Sequence, residues 1–189
     1  MFRRGYKSWC ENLALQIRAD LNLAKIAPLR PEILAKHLGV YLWSLPQVRG
    51  LSAETLHTLS GAERSNWSAV AISYDGRNAI VYNPTHSLGR QSSDVMHELS
   101  HILIGHKAST VFLSQGGTLA LRTFNRQDED EANWLSGCLL LPRPALVRIK
   151  ESGLDHREAC EEYLVSNDLL TYRLNVTGVN QQIKKRGMS

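Results

Sequence analysis

The 189-residue sequence lacks the features that mark membrane and secreted proteins. No apolar run approaches the roughly 20 residues that a membrane-spanning helix needs. The basic opening segment 1–7 leads into a charged, amphipathic stretch and not into the apolar core of a secretory signal, so we expect a cytoplasmic protein. The cysteines are odd in number and form no Cys-x-x-Cys pair, which argues against a disulfide framework and against a cysteine zinc site.

The sequence also lacks a dominant charge. Its 22 basic and 18 acidic residues give a net charge of +4, and the acids are interspersed through most of the chain. This balance falls short of the basic surface typical of a nucleic-acid-binding protein, and the one clear cationic cluster, Lys184-Lys185-Arg186, is typical of a solvated chain end. No internal repeat is present, and the length suits a single domain.

The distinctive feature that is present is His97-Glu98-Leu99-Ser100-His101, inside a segment with helical apolar spacing. At roughly 100° per residue, His97 and His101 project within about 40° of each other, while the neighbouring apolar residues fall on the opposite side. Two imidazoles one helical turn apart can bind one Zn²⁺. In such a motif Glu98 is the base that takes a proton from the attacking water.

Three residues flank this motif. Gly105 offers a stop for the helix. Asp94, on the same face as His97, either orients a ligand histidine or is an acid favoured by the dipole of the first helical turn. His106 does not have the spacing of a third histidine ligand, and in a continuing helix it would point roughly 180° from His97, so we interpret it as a solvent or packing histidine.

A catalytic zinc site needs a third protein ligand, and the helical pattern at 128–142 begins with four acidic residues. We select Glu129, because Asn133 follows one turn later on the same face, where its amide can brace a ligand histidine. Small residues flank that face and permit close approach to the first helix: Ala132, Ser136 and Gly137. Glu131 is the second candidate, and the remaining alternative is that all four acids form a solvated, dipole-favoured helix start.

The segments before the motif predict its scaffold. Apolar spacing predicts helices over 9–22 and 32–38 and a short strand over 40–43, whereas residues 51–60 fit either helix or loop. Two strands, 67–74 and 78–83, are predicted around a tight turn that runs directly into the His97 helix. We therefore expect an α+β fold with a small sheet packed on that helix, and an exposed sheet edge that can hold an extended peptide.

Two further patterns remain open. Ser114-Gln115-Gly116-Gly117-Thr118 predicts a turn in a hairpin or a mobile flap. Residues 155–164 and 167–174 predict two short helices that either pack on the domain or form a helix-turn-helix for DNA. Against DNA, Leu164 replaces the turn glycine, acidic residues would face the phosphates, and Arg173 is the one obvious contact on the second helix.

Together these segments resemble the ImmA/IrrE family of zinc metallopeptidases, from about residue 9 to residue 182. The resemblance rests on short stretches spread over the second half of the chain: residues 97–101, 129–134, 139–142, 165–166 and 172–174. It implies a zincin-like domain in which His97, His101 and Glu129 hold Zn²⁺ and Glu98 is the general base. A second donor to the developing oxyanion is expected from Tyr82, His86 or Tyr172.

The resemblance also implies a role for the whole chain. We expect a single domain over 1–189, with a helical part at 9–60, a catalytic core at 66–142 and a helical part at 143–182. Members of the family are cytoplasmic and act on, or beside, helix-turn-helix repressors in phage, mobile-element and stress regulation. No separate helix-turn-helix domain precedes residue 9, so we expect an endopeptidase acting in trans on a repressor or toxin-antitoxin component. The alternative is a regulatory module that binds protein or DNA and keeps the zinc fold without proteolysis.

Overall fold

A computed structural model describes residues 2–61, 67–106, 112–113, 119–120 and 125–186. The helices are α1 Tyr6–Asp20, α2 Pro31–His37, α3 Ala53–Ser60, α4 Leu88–Ile104, α5 Arg126–Leu140, α6 Arg143–Glu151, α7 His156–Tyr163, α8 Asn167–Val176 and α9 Val179–Arg186. The strands are β1 Tyr41–Ser44, β2 Ala69–Tyr74, β3 Arg77–Tyr82, β4 Phe112–Leu113 and β5 Leu119–Ala120. The predicted α+β class is therefore confirmed. Within the described ranges, no helix is both long and apolar enough to cross a membrane.

The first three strands form one sheet in the order β1-β3-β2. Strand β3 lies in the centre, parallel to β1 and antiparallel to β2. The predicted hairpin is confirmed, and its turn residues Asp75 and Gly76 have φ angles of 50° and 71°, the sign that a two-residue hairpin turn requires. Strands β1 and β2 are consequently the edges of this sheet.

Helix α4 lies between the sheet and α5, and it packs against β2, β3 and α5. Its core-facing side chains Val95, Met96 and Leu99 are buried. The helix begins earlier than its apolar spacing alone suggests, because Ser87 caps it by accepting a hydrogen bond from the Arg90 N–H at 3.4 Å. Because α4 packs against the sheet and α5, the face that carries His97 and His101 has a fixed position relative to both.

The remaining predicted helices lie where the structure has helices, although some of their boundaries differ. The segments at 9–22 and 32–38 form α1 and α2, and the undecided segment at 51–60 forms α3. The predicted turn at 114–118 lies outside the described residues, although the flanking strands β4 and β5 pair in antiparallel fashion.

The two C-terminal helices α7 and α8 form a packed pair. Leu164 between them has a φ of 48°, so it adopts the left-handed conformation that a turn glycine would supply. Arg173, the candidate DNA contact on α8, is only 1% exposed. Its Nη2 donates to Glu11 Oε1 at 2.5 Å and to the Leu141 carbonyl at 3.0 Å. In this structure Arg173 is therefore a core residue and does not face a phosphate backbone.

The same arginine explains a small residue on α5. A Cβ on Gly137 would lie 2.9 Å from Arg173 Cδ, closer than real contacts allow. The sequence suggested that Gly137 permits close approach between α5 and the His97 helix, and that interpretation is wrong. The glycine instead makes room for the buried arginine of α8.

The ion pair between Glu11 and Arg173 yields a stability prediction. We expect Glu11→Ala to lower the free energy of unfolding by about 3 kcal/mol, because it leaves a buried guanidinium without its carboxylate. Glu11→Gln should cost less, since the amide oxygen still accepts from Arg173. Urea unfolding followed by circular dichroism measures both, with Glu54→Ala on the exposed face of α3 as control. If Glu11→Ala unfolds at the same urea concentration as the control, the pair does not stabilise this core.

Candidate metal centre

Helix α4 places the two motif histidines side by side, as a spacing of four residues requires. Their Nε2 atoms lie 3.0 Å apart, and their ring centroids are separated by 4.7 Å. His101 is buried, whereas His97 is half-buried. Both rings therefore direct the same nitrogen toward one point.

Glu129 reaches that point from the first turn of α5. The helix starts at Arg126 because the Asn125 side chain caps it, accepting from the Gln127 N–H at 3.0 Å. The carboxylate then lies across from α4, with Oε2 3.1 Å from His97 Nε2 and Oε1 3.6 Å from His101 Nε2. The side-by-side packing of α4 and α5 thus brings the three predicted ligands together.

The donor set and its spacing fit a divalent metal. All three ligand atoms lie within 4.8 Å of one another. Ligands 2.0–2.1 Å from a tetrahedral Zn²⁺ would be about 3.3 Å apart, close to the separations found here. Two imidazoles and one carboxylate are also the donors of many catalytic zinc sites. These residues can hold a metal ion without rearrangement of the backbone.

Glu98 lies on the sheet side of this cluster. The residue is 7% exposed, and its Oε2 accepts a hydrogen bond from the Ala71 N–H at 3.1 Å. Ala71 belongs to β2, an edge strand of the sheet that the described residues form, so the carboxylate links α4 to that strand. That position suits a proton acceptor beside a peptide bound along the edge.

Glu131, the alternative ligand, has a different set of partners. Its carboxylate is buried and accepts from Arg3 Nη2 at 3.3 Å and from Gln127 Nε2 at 3.3 Å. Asn133, which the sequence predicts as a brace, is exposed, and among the described residues it makes no hydrogen bond to His97 or His101. The structure therefore favours Glu129 over Glu131, for a reason other than the one that the sequence offered.

Asp94 matches neither of its sequence interpretations. It lies beyond the first turn of α4, so the helix-start interpretation is wrong. Its Oδ2 pairs with His86 Nδ1 at 3.3 Å and with Arg90 Nε at 3.7 Å, and not with a ligand histidine. Asp94 consequently fixes the loop before α4 to the body of the helix.

The three candidate oxyanion donors are separated by the fold. Tyr82 lines a cavity between α2 and the sheet, together with Glu32 and Lys36. Tyr172 is exposed on α8 and packs edge-on against Trp134. His86 lies in the loop before α4, and its Nδ1 is 3.3 Å from Asp94 Oδ2 of that helix.

A family model described as the IrrE N-terminal-like domain, a family of peptidases, matches residues 51–175. The matched part is more than half of the chain and contains His97, Glu98, His101 and Glu129. The chain belongs to this family. The predicted family resemblance is thereby confirmed, and membership in the IrrE-like peptidases supports a metallopeptidase-type function. A search of curated proteins returned no match.

Proposed function

We propose that this IrrE-like chain is a zinc-dependent endopeptidase that cleaves a regulatory protein. The proposal is carried by one observation, the convergence of His97, His101 and Glu129 within 4.8 Å beside a buried Glu98. A zinc ion bound by these three residues would polarise the scissile carbonyl and acidify water. The proton transfers are carried out by side chains of the protein.

Glu98 is the proton carrier in this mechanism. Its carboxylate removes a proton from the attacking water as the water oxygen bonds to the carbonyl carbon. When the carbon–nitrogen bond breaks, Glu98 passes that proton to the leaving amine. The hydrogen bond from Ala71 N–H holds the carboxylate in one orientation for both transfers.

We propose that the substrate binds along the edge strand β2. The Ala71 N–H donates to Glu98 and therefore does not bond within the sheet, so the outward side of β2 faces the proton carrier. An extended peptide can pair with outward backbone groups of this edge other than the Ala71 N–H, which Glu98 occupies. This arrangement favours a flexible, extended segment of a protein over a folded surface.

We propose that the substrate is a helix-turn-helix repressor or a toxin-antitoxin component acting in trans. The family resemblance supports a regulatory target. The surface of α8 supports a protein over DNA, because its sequence carries one basic residue and that residue, Arg173, is buried.

The proposal predicts chelator-sensitive cleavage. Purified protein is incubated with a candidate helix-turn-helix repressor, in the presence of 1,10-phenanthroline or its non-chelating 1,7 isomer. We expect the first compound to abolish cleavage, the second to leave it unchanged, and added Zn²⁺ to restore it, as read by gel and mass spectrometry. If the protein binds the repressor without zinc and does not cleave it, the proposal of an endopeptidase is contradicted and a regulatory binding module is supported.

A further inference from the structure

We propose that His106 is a positioning residue that orients the ligand His101 and fixes its tautomer. The inference rests on the proposed function, because it assigns His101 to the metal. It concerns the side of the His101 ring that faces away from His97 and Glu129.

The backbone after α4 brings His106 to that side. Gly105 has a φ of 78°, and the N–H groups of Gly105 and His106 donate to the carbonyls of Ile102 and His101 at 3.2 and 3.0 Å. These two bonds form a Schellman motif, which reverses the chain at a helix end. The reversal carries the His106 side chain back onto His101, where a continuing helix would have pointed it away.

In the contact between the His101 and His106 rings, the donor and the acceptor can be assigned. His101 Nε2 belongs to the metal-ligand cluster, and its Nδ1 lies 3.0 Å from His106 Nδ1. A histidine that binds metal through Nε2 carries its proton on Nδ1, so His101 donates and His106 Nδ1 accepts. The His106 proton is then on Nε2.

Acidic groups on α5 face that second nitrogen. His106 Nε2 lies 3.6 Å from Glu131 Oε2 and 3.8 Å from Asp128 Oδ1. The His106 side chain is 11% exposed and that of Glu131 only 5%, so the contact is largely shielded from water. A carboxylate at this position favours the tautomer with the proton on Nε2, which is the tautomer that His101 needs as its acceptor.

The N-terminal segment holds Glu131 in place. Arg3 contributes an ion pair at 3.3 Å, and the Tyr6 hydroxyl donates to the Glu131 backbone carbonyl at 2.7 Å. Burial raises the pKa of Tyr6, so this hydroxyl stays protonated as a donor. The chain of contacts from His101 through His106 to Glu131 therefore ends in a fixed anchor on α1.

The test measures zinc affinity by competition with a chromogenic chelator, independently of proteolysis. We expect His106→Ala to weaken zinc binding about 10- to 100-fold, the usual cost of losing a partner of a metal ligand. His106→Asn should retain more affinity than His106→Gln, because the asparagine oxygen can occupy the place of Nδ1 and the glutamine oxygen that of Nε2. His156→Ala, at an exposed histidine of α7, is the control and should bind zinc as the unaltered protein does.

The Asn and Gln variants keep the test decisive if the alanine variant does not fold. The inference would be overturned if His106→Ala, or both amide variants, bound zinc as tightly as the unaltered protein does. It would also be overturned if His106→Gln bound zinc more tightly than His106→Asn. Loss of zinc binding in the unaltered protein would overturn both this inference and the proposed function. Zinc binding that depends on His106, in a protein that cleaves no repressor, would contradict the proposed function alone.

Discussion

Glu98→Gln should bind Zn²⁺ as tightly as the unaltered protein and lose proteolysis by a factor of about 10² to 10⁴. The amide has the shape of the carboxylate and can still accept the hydrogen bond from Ala71 N–H, so the packing of α4 against β2 is preserved. It cannot take the proton of the attacking water. The loss should therefore appear in kcat and not in metal content.

Two measurements on the same preparations check this expectation. Zinc is quantified by elemental analysis, and cleavage of the repressor is followed over time. The control is Glu54→Gln, at an exposed glutamate of α3, which should cleave at the unaltered rate. Retained cleavage by the Glu98 variant would remove its assignment as proton carrier.

Glu129→Gln should weaken zinc binding by more than about 100-fold, beyond the 10- to 100-fold range of residues that only support a ligand. The Glu129 carboxylate faces both His97 Nε2 and His101 Nε2 in this structure. A neutral amide is a much poorer zinc ligand than a carboxylate, and two imidazoles alone leave the site incomplete. Proteolysis should fall with the metal and recover in part at high zinc concentration.

Glu131→Gln is the matched variant, since both glutamates lie near the start of α5. Its partners are Arg3, Gln127 and His106, so we expect a smaller loss of zinc affinity than at Glu129. Chelator competition gives both values under one set of conditions. The opposite order, with Glu131→Gln losing zinc and Glu129→Gln retaining it, would show that the third ligand has been wrongly assigned.

The parts of the site that the sequence could predict are those set by local periodicity. His97 and His101 lie one helical turn apart wherever the helix forms, and the dipeptide Asp75-Gly76 suits a tight hairpin turn. The acidic start of the next helix could be recognised as a source of the third ligand, but the bracing role of Asn133 that selects Glu129 from the sequence is absent, because Asn133 is exposed. Each of these inferences depends on a few neighbouring residues.

The parts that the sequence could not predict depend on contacts between distant segments. A helix that continued through Gly105 would point His106 away from His97, whereas the hydrogen bonds donated by the Gly105 and His106 N–H groups reverse the chain. Glycine followed by histidine at the predicted end of a helix was the available signal for this reversal. The neighbour of Gly137 cannot be predicted from nearby residues, because Arg173 is far from it in sequence and enters the core from α8. Such pairings appear only when the helices are packed.

The most direct test of the account is a crystal structure of the zinc-loaded chain, with anomalous diffraction recorded on both sides of the zinc absorption edge. The account predicts one zinc ion with three protein ligand residues: His97 and His101, each through Nε2, and Glu129 through its carboxylate. A zinc peak bound by other residues, or none between α4 and α5 in protein that cleaves its substrate, would contradict it.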